Sequence, residues 1–236
     1  MFKLVRRLLL AILVIGIIAM IARNTIGIWI GENILEHLTG FPTTIDQLEI
    51  KLNKPFLVAR GVTISNPKGI YGEPRAIKIH RLEASYNLNT LFNTELHLLQ
   101  LAIDIDSVIV VKSMNGELNL RRLCYPNSNP PISTSKPIRK LKIDELALSI
   151  GEIGYLDESF HHPELKTYKI HIKNRIYKNL NNVEDVKKMV VHLVIQSLAN
   201  NILNEPTQTI GKNFQKAADI FNRESKKLLK FLETKE

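Results

Sequence analysis

The sequence predicts an α+β chain: an N-terminal transmembrane helix, then a curved, mostly antiparallel, groove-like β-sheet, then C-terminal helices. Three observations predict it. An uncharged apolar run, Leu8 to Ala22, follows Lys3, Arg6 and Arg7. From Thr43 to Ile176 apolar and polar residues alternate in short runs, the pattern of strands with one buried face. After Asn182 the apolar spacing changes to that of a helix. The chain divides into an anchor (1–30), a sheet domain (31–180) with a Pro-rich loop at 124–137, and a helical segment (181–236).

The apolar run is about 22 Å of helix, and Phe2 to Val5 with snorkelling Arg6 and Arg7 bring it near the ~30 Å hydrocarbon thickness. Leu8, Leu9, Leu10, Ile12, Val14, Ile17 and Ile21 would face lipid. A cleaved signal peptide is the competing reading, but Met20 before Ala22 and Ile17 before Ala19 make poor cleavage sites. Apolar character also resumes at Ile26, Ile28, Trp29 and Ile30, which favours a retained anchor. Only Arg23 follows the run closely, so the positive-inside rule puts the N-terminus in the cytoplasm and the bulk of the chain across the membrane. Gly27 to Leu38 reads as a short helix against the first strand, stopped by Gly40 and Pro42.

Eight strands follow from the alternation. Thr43–Leu52 is the first, with a bulge expected near Asp46-Gln47 because Ile45 and Leu48 differ in parity. Phe56–Ile64 is the second, and Asn66-Pro67-Lys68-Gly69 turns the chain. Arg75–Leu88 is the third, with a kink near His80-Arg81 where the parity changes. Glu95–Lys112 is the fourth: Leu99, Leu101, Ile103 and Ile105 share one face, and Gln100, Asp104 and Asp106 the other. Asn115-Gly116 then predicts a hairpin returning as Glu117–Leu123. Beyond the Pro-rich loop, Ile138–Ile150 and Gly151–Asp157 read as a hairpin, and Lys166–Ile176 as a last strand with lysines on its wet face. Asn182 caps a helix from Val183 to Leu203, with Glu184 and Asp185 in its first turn. A final basic helix, Thr209–Leu232, carries one narrow apolar stripe that suits either an anionic membrane or the protein itself.

Composition narrows the function. At 44% hydrophobic and 23% charged the chain of 236 residues is an ordinary folding sequence. A net charge of +9 suits anionic headgroups, although surface lysines also serve solubility alone. Nucleic acid is not expected, because aromatics are few and sit in apolar stripes. No catalytic set, phosphate loop or zinc spacing stands out, so the chain reads as neither an enzyme nor a holder of metal or cofactor. His161-His162 reads as a solvated turn, and Cys124 has no partner for an internal disulfide. The candidate site is the sheet's apolar face: Leu48, Ile50, Leu82, Ala84, Tyr86, Leu99, Leu101, Ile103, Ile105, Leu146 and Leu148.

Several stretches, taken in order, resemble the N-terminal region of AsmA-like proteins of Gram-negative envelopes. They are Leu38-Thr39-Gly40-Phe41, Gly61-Val62-Thr63-Ile64-Ser65-Asn66-Pro67, Arg81-Leu82-Glu83-Ala84-Ser85-Tyr86-Asn87-Leu88 and Asn115-Gly116-Glu117-Leu118-Asn119-Leu120. Leu141 to Leu146 and Ile153 to Asp157 look like that family's strand, turn, strand ending in Asp. The resemblance covers roughly residues 1–176. It implies a single-pass inner-membrane protein whose domain faces the periplasm, with an apolar groove that binds or helps transfer phospholipid in support of outer-membrane integrity. Eight strands give a groove of about 38 Å, too short to bridge an envelope alone. The other reading is a non-catalytic envelope assembly or scaffold protein whose groove is filled by its own helix. Partners are then the phospholipid membrane and other envelope proteins.

Overall fold

The computed structural model describes residues 25–51, 54–90, 95–124 and 140–203. The anchor run and the basic helix expected over 209–232 lie outside them, as does nearly all of the Pro-rich loop. The fold is α+β: three helices on a curved, open, six-stranded sheet. Helix α1 covers residues 25–39. Strands β1 (Thr43–Lys51), β2 (Phe56–Ser65), β3 (Arg75–Tyr86) and β4 (Glu95–Lys112) follow, then helix α2 (Asn119–Cys124). Strands β5 (Lys140–Asp157) and β6 (Lys166–Leu180) and helix α3 (Val183–Leu203) complete it. The strands lie side by side in chain order. Every pairing is antiparallel except that of β4 with β5. We call the end holding Lys51, Glu95 and Lys140 the upper end.

The strand count differs from the expected eight in two places. Residues 117–123 do not return beside β4; a single bridge, Lys112 with Leu118, is all that forms before α2 begins. The Asn115-Gly116 turn does close, with Gly116 at φ +81°. The place beside β4 is taken by β5, which arrives in parallel after a long crossover, so Leu118, Leu120 and Leu123 bury themselves on the sheet instead. Residues 140–157, expected as a hairpin, form one strand. Gly151 does not turn the chain; a Cβ there would meet the Asp106 carbonyl oxygen at 3.0 Å, so this glycine permits close approach of β4. Six strands span about 29 Å rather than 38 Å.

Cross-strand pairing stacks the apolar residues into complete rows. Ile45, Val62, Ile79, Ile105, Ile150 and Ile172 are successive partners across all six strands. Thr43, Ile64, Ile77, Val108, Ile153 and Tyr168 form the row below. Above lie Leu48, Ala59, Leu82, Ile103, Leu148 and Arg175. Strict alternation would put residues three apart on opposite faces, yet Ile45 and Leu48, Ala59 and Val62, and Ile105 and Val108 all join one core cluster. Each strand therefore changes parity beside the central row, along a crease through the sheet. In β3 the crease is the register shift around His80, where a kink was expected, and β4 shifts beside it. Between β1 and β2 the pairing holds one register, so the bulge expected at Asp46-Gln47 is absent. The irregularity there is Gly61, at φ +63° opposite Asp46.

The helices cover the creased face. Val191, Val194, Ile195 and Leu198 of α3 are fully enclosed, and Met189, Val190 and Leu193 are nearly so. Such a helix is apolar most of the way round, as a helix wrapped by its own sheet must be. Asn182 caps it, its side chain accepting from the Asp185 amide at 2.7 Å. Gly27 of α1 lies against Leu48 and Ile50, and Gly31 against Ile45, so α1 packs along β1 with its start at the upper end. Gly40, at φ +72°, ends α1 as the sequence predicts. Buried Lys187 of α3 donates to the Leu38 carbonyl at 3.0 Å and pairs with Glu184, joining the two helices.

The crease makes a prediction. A Cβ at Gly61 would overlap the Asp46 carboxylate on a backbone that side chains rarely adopt. Gly61→Ala should cost about 1–3 kcal/mol in urea unfolding. Adding Asp46→Ala removes the carboxylate but keeps a Cβ at 2.9 Å, so it should return only part of that loss.

Candidate functional site

Two rows of the sheet gather the expected site. Leu48, Leu82, Ile103 and Leu148 belong to the first row above the crease, and Ile50, Ala84, Leu101 and Leu146 to the second, with Leu57 and Tyr177. Tyr86 belongs to the next row, as partner of Leu98, beyond which come Ile143 and Leu180. Ile105 sits in the row just below, 3% exposed. Leu99 is the correction. The pairing shifts between Ser85 and Tyr86, so Leu98 turns inward and Leu99 outward, 43% exposed.

The helices cover these rows unevenly. On β5, Ile143, Leu146 and Leu148 are wholly buried, the first two in one cluster with Met189 and Val186 of α3 and Leu148 in the main core. On β1 to β4, Ile50, Leu57, Leu82, Tyr86, Leu96, Leu101 and Ile103 are only half-buried. They form an apolar window at the upper end, across four strands or about 19 Å. Below the crease the same face is closed, from Ile45 at 6% exposed to Val62 at 0%. At the β6 end the Arg175 guanidinium lies 5.7 Å over the Tyr177 ring. Burial raises the Tyr177 hydroxyl above its ordinary pKa, and burial and Arg175 lower that of His192. Among the described residues neither the Tyr177 hydroxyl nor His192 Nδ1 has a hydrogen-bond partner.

The lower end is held by polar pins. Asn119, fully buried, donates to Asn66 Oδ1 at 3.0 Å and to the Ile109 carbonyl at 2.9 Å, and accepts from the Val111 amide at 2.9 Å. Asn66 in turn donates to the Glu73 and Arg75 carbonyls. Lys112 and Asp157, register partners on β4 and β5, form a buried ion pair at 2.9 Å, and Ser159 and Tyr155 also donate to Asp157. Burial pushes the Asp157 carboxyl up, but hydrogen bonds from Ser159 and Lys112 outweigh it and hold the carboxyl below its ordinary pKa.

Also at the lower end is an open cavity of about 970 Å³ that the sequence reading missed. Ile70, Met114, Phe160 and Leu165 rim it, all exposed, with Tyr71 and Leu156 beneath. The rim residues come from three separate loops, so no local pattern marks it. His161 lines this cavity, and among the described residues no group of three His, Cys, Asp or Glu side chains is placed to hold a metal ion. No family model, curated protein or solved structure matches the chain.

Because Asp157 titrates low in the folded chain, the unfolded chain takes up its proton first as pH falls. Its contribution is complete above about pH 4 and is lost as the pH drops through the lower folded value. Asp157→Asn should cost about 1–3 kcal/mol at pH 7. Urea midpoints at pH 7 and pH 3 should then fall closer together in the variant than in the parent chain.

Proposed function

We propose that the chain is a membrane-anchored, non-catalytic, AsmA-like protein that holds phospholipid acyl chains on its apolar window. It would work from the inner membrane, with its domain in the periplasm, and support outer-membrane integrity by binding or passing on lipid. One observation carries the reading. Over β1 to β4 the apolar face is sealed below the crease, whereas above it half-buried Ile50, Leu57, Leu82, Leu101 and Ile103 stand among buried Leu48, Ala59 and Ala84, at the end where α1 begins. The chain thus enters the domain beside the window, directly after an apolar run suited to a bilayer. An apolar surface kept partly uncovered in that position has a ready use in a lipid chain. The excess of Lys and Arg also falls in residues 1–24, 125–139 and 204–236, leaving the sheet domain near neutral. An acyl chain, rather than a headgroup, is the partner this sheet suits.

The kinship is supported by motif order and by one contact: Asn66 and Asn119, from two separate motif stretches, meet as a buried amide pair. Six strands make the sheet too short for a bridge, so local lipid handling or a place in a larger assembly fits better. A second reading has its own observation. Helix α3 already fills the face over β5, as a scaffold's plug would.

The test is mass spectrometry of lipid retained by the full chain in mild detergent, compared with Leu101→Asp. The window reading expects phospholipid on the parent chain and several-fold less on the variant, with unchanged circular dichroism. Equal retention by both would mean lipid around the anchor only, and would favour the scaffold.

A further inference from the structure

We propose that the outer face of α1 lies on the bilayer itself, so that the domain rests on the membrane along its β1 side. The inference deepens the anchored reading and rests on it, for it names the surface that meets lipid. Ile26, Ile30 and Ile34 recur every fourth residue, and Trp29 stands beside them. They are 54%, 45%, 53% and 66% exposed, in that order. Helical spacing puts such residues on one stripe, here about 12 Å long. Four large apolar side chains side by side expose on the order of several hundred Å², at the upper limit of what a monomer leaves bare.

The occupant follows from continuity and from the inner face. The apolar run ending at Ala22 is followed by Arg23-Asn24-Thr25, a polar break, and then by this stripe. A spanning segment, a break and a second one-sided apolar helix is the order of an anchor that turns into the interface plane. Trp29 suits that depth, having an apolar ring and one N–H to satisfy. A helix in the interface ordinarily keeps a polar face toward water. Here that side is packed on β1 instead: Gly27 and Gly31 meet Leu48 and Ile45, and Glu32 accepts from the Ile45 amide at 2.9 Å. The Gly-xxx-Gly spacing would otherwise suggest a helix pair between two copies. Both glycines are spent within the chain, so the outer stripe has no small-residue groove to offer a second copy.

Trp29 is the sole tryptophan of the chain, which makes a test without substitution available. The full chain is reconstituted in vesicles of phosphatidylethanolamine and phosphatidylglycerol, with and without acyl-brominated lipid. An environment-sensitive label is placed by Ile34→Cys in a Cys124→Ser background, and by Met114→Cys as a distant control. The proposal expects Trp29 and the label at 34 to be blue-shifted and to lose intensity on brominated lipid, while the label at 114 stays aqueous. A chain that floats with vesicles but keeps the label at 34 aqueous overturns the proposal and leaves the anchor standing. A label shielded only at high protein concentration and unquenched by bromine overturns it in favour of a second copy. A chain that fails to float with vesicles overturns this inference and the anchored reading together.

Discussion

The row Ile45, Val62, Ile79, Ile105, Ile150 and Ile172 is what the rest of the molecule depends on. Six branched side chains, one from each strand, stand shoulder to shoulder on one face. Branched residues suit the pleated surface, and each neighbouring pair adds cross-strand contact. Immediately beside this row the strands change parity. Without that change, Leu48, Ala59 and Leu82 would point away from the helices and the apolar face would be half as long. With it, both halves of every strand from β1 to β5 face one core. The crease also bends the sheet, and a bent sheet can wrap a helix that a flat one could only lean on.

Helix α3 is the counterpart of that curvature. Val191, Val194, Ile195 and Leu198 form one stripe with no exposed surface, and Met189, Val190 and Leu193, also buried, carry the covered face on around the helix axis. In an unwrapped position some of them would face water. Lys187 fixes where α3 sits: a buried ammonium is costly, and it is relieved here by the Leu38 carbonyl and Glu184 together. Sliding α3 toward the window would break the contact with Leu38, since Glu184 is carried along on α3 itself. The coverage of β5 and the opening over β1 to β4 are therefore two results of one constraint. A lipid chain in the window would lie beside α3 rather than displace it.

Much of this was legible in the sequence, and the failures have physical causes. Local signals were sound: Asn182 and Gly40 sit at helix ends, the kink at His80 is present, and eight of the eleven expected site residues fall into two adjacent rows. These depend on neighbours in sequence, where propensity and periodicity act. The parallel pairing of β4 with β5 was not legible, because a partner 45 residues ahead in register leaves no local trace. Residues 117–123 alternate like a strand but find that place occupied. Gly151 looks like a turn residue when read alone, and only the Asp106 carbonyl beside it gives its reason. Leu99 fails for the smallest cause: one bulge, and every alternation argument beyond it changes sign.

The two ends of the sheet differ in what they spend on closure. At the lower end the molecule buries a carboxamide pair and an ion pair, groups that are costly to desolvate and stabilising only when fully satisfied. Asn119 satisfies donors and acceptors from β4 and from Asn66 at once, so it acts as a clasp between the β2–β3 turn and the last turn of β4. Among the described residues nothing comparable crosses the window at the upper end, where the half-buried residues are leucine, isoleucine and tyrosine. Polar clasps resist opening, because a parted pair loses its partner in a poorly hydrated place. An apolar seam gives way more readily, provided something equally apolar takes the place of what leaves. That asymmetry puts the yielding end beside the start of α1 and the rigid end away from it, which is the arrangement the proposed lipid-binding role needs if lipid is to reach the sheet from a membrane on the α1 side.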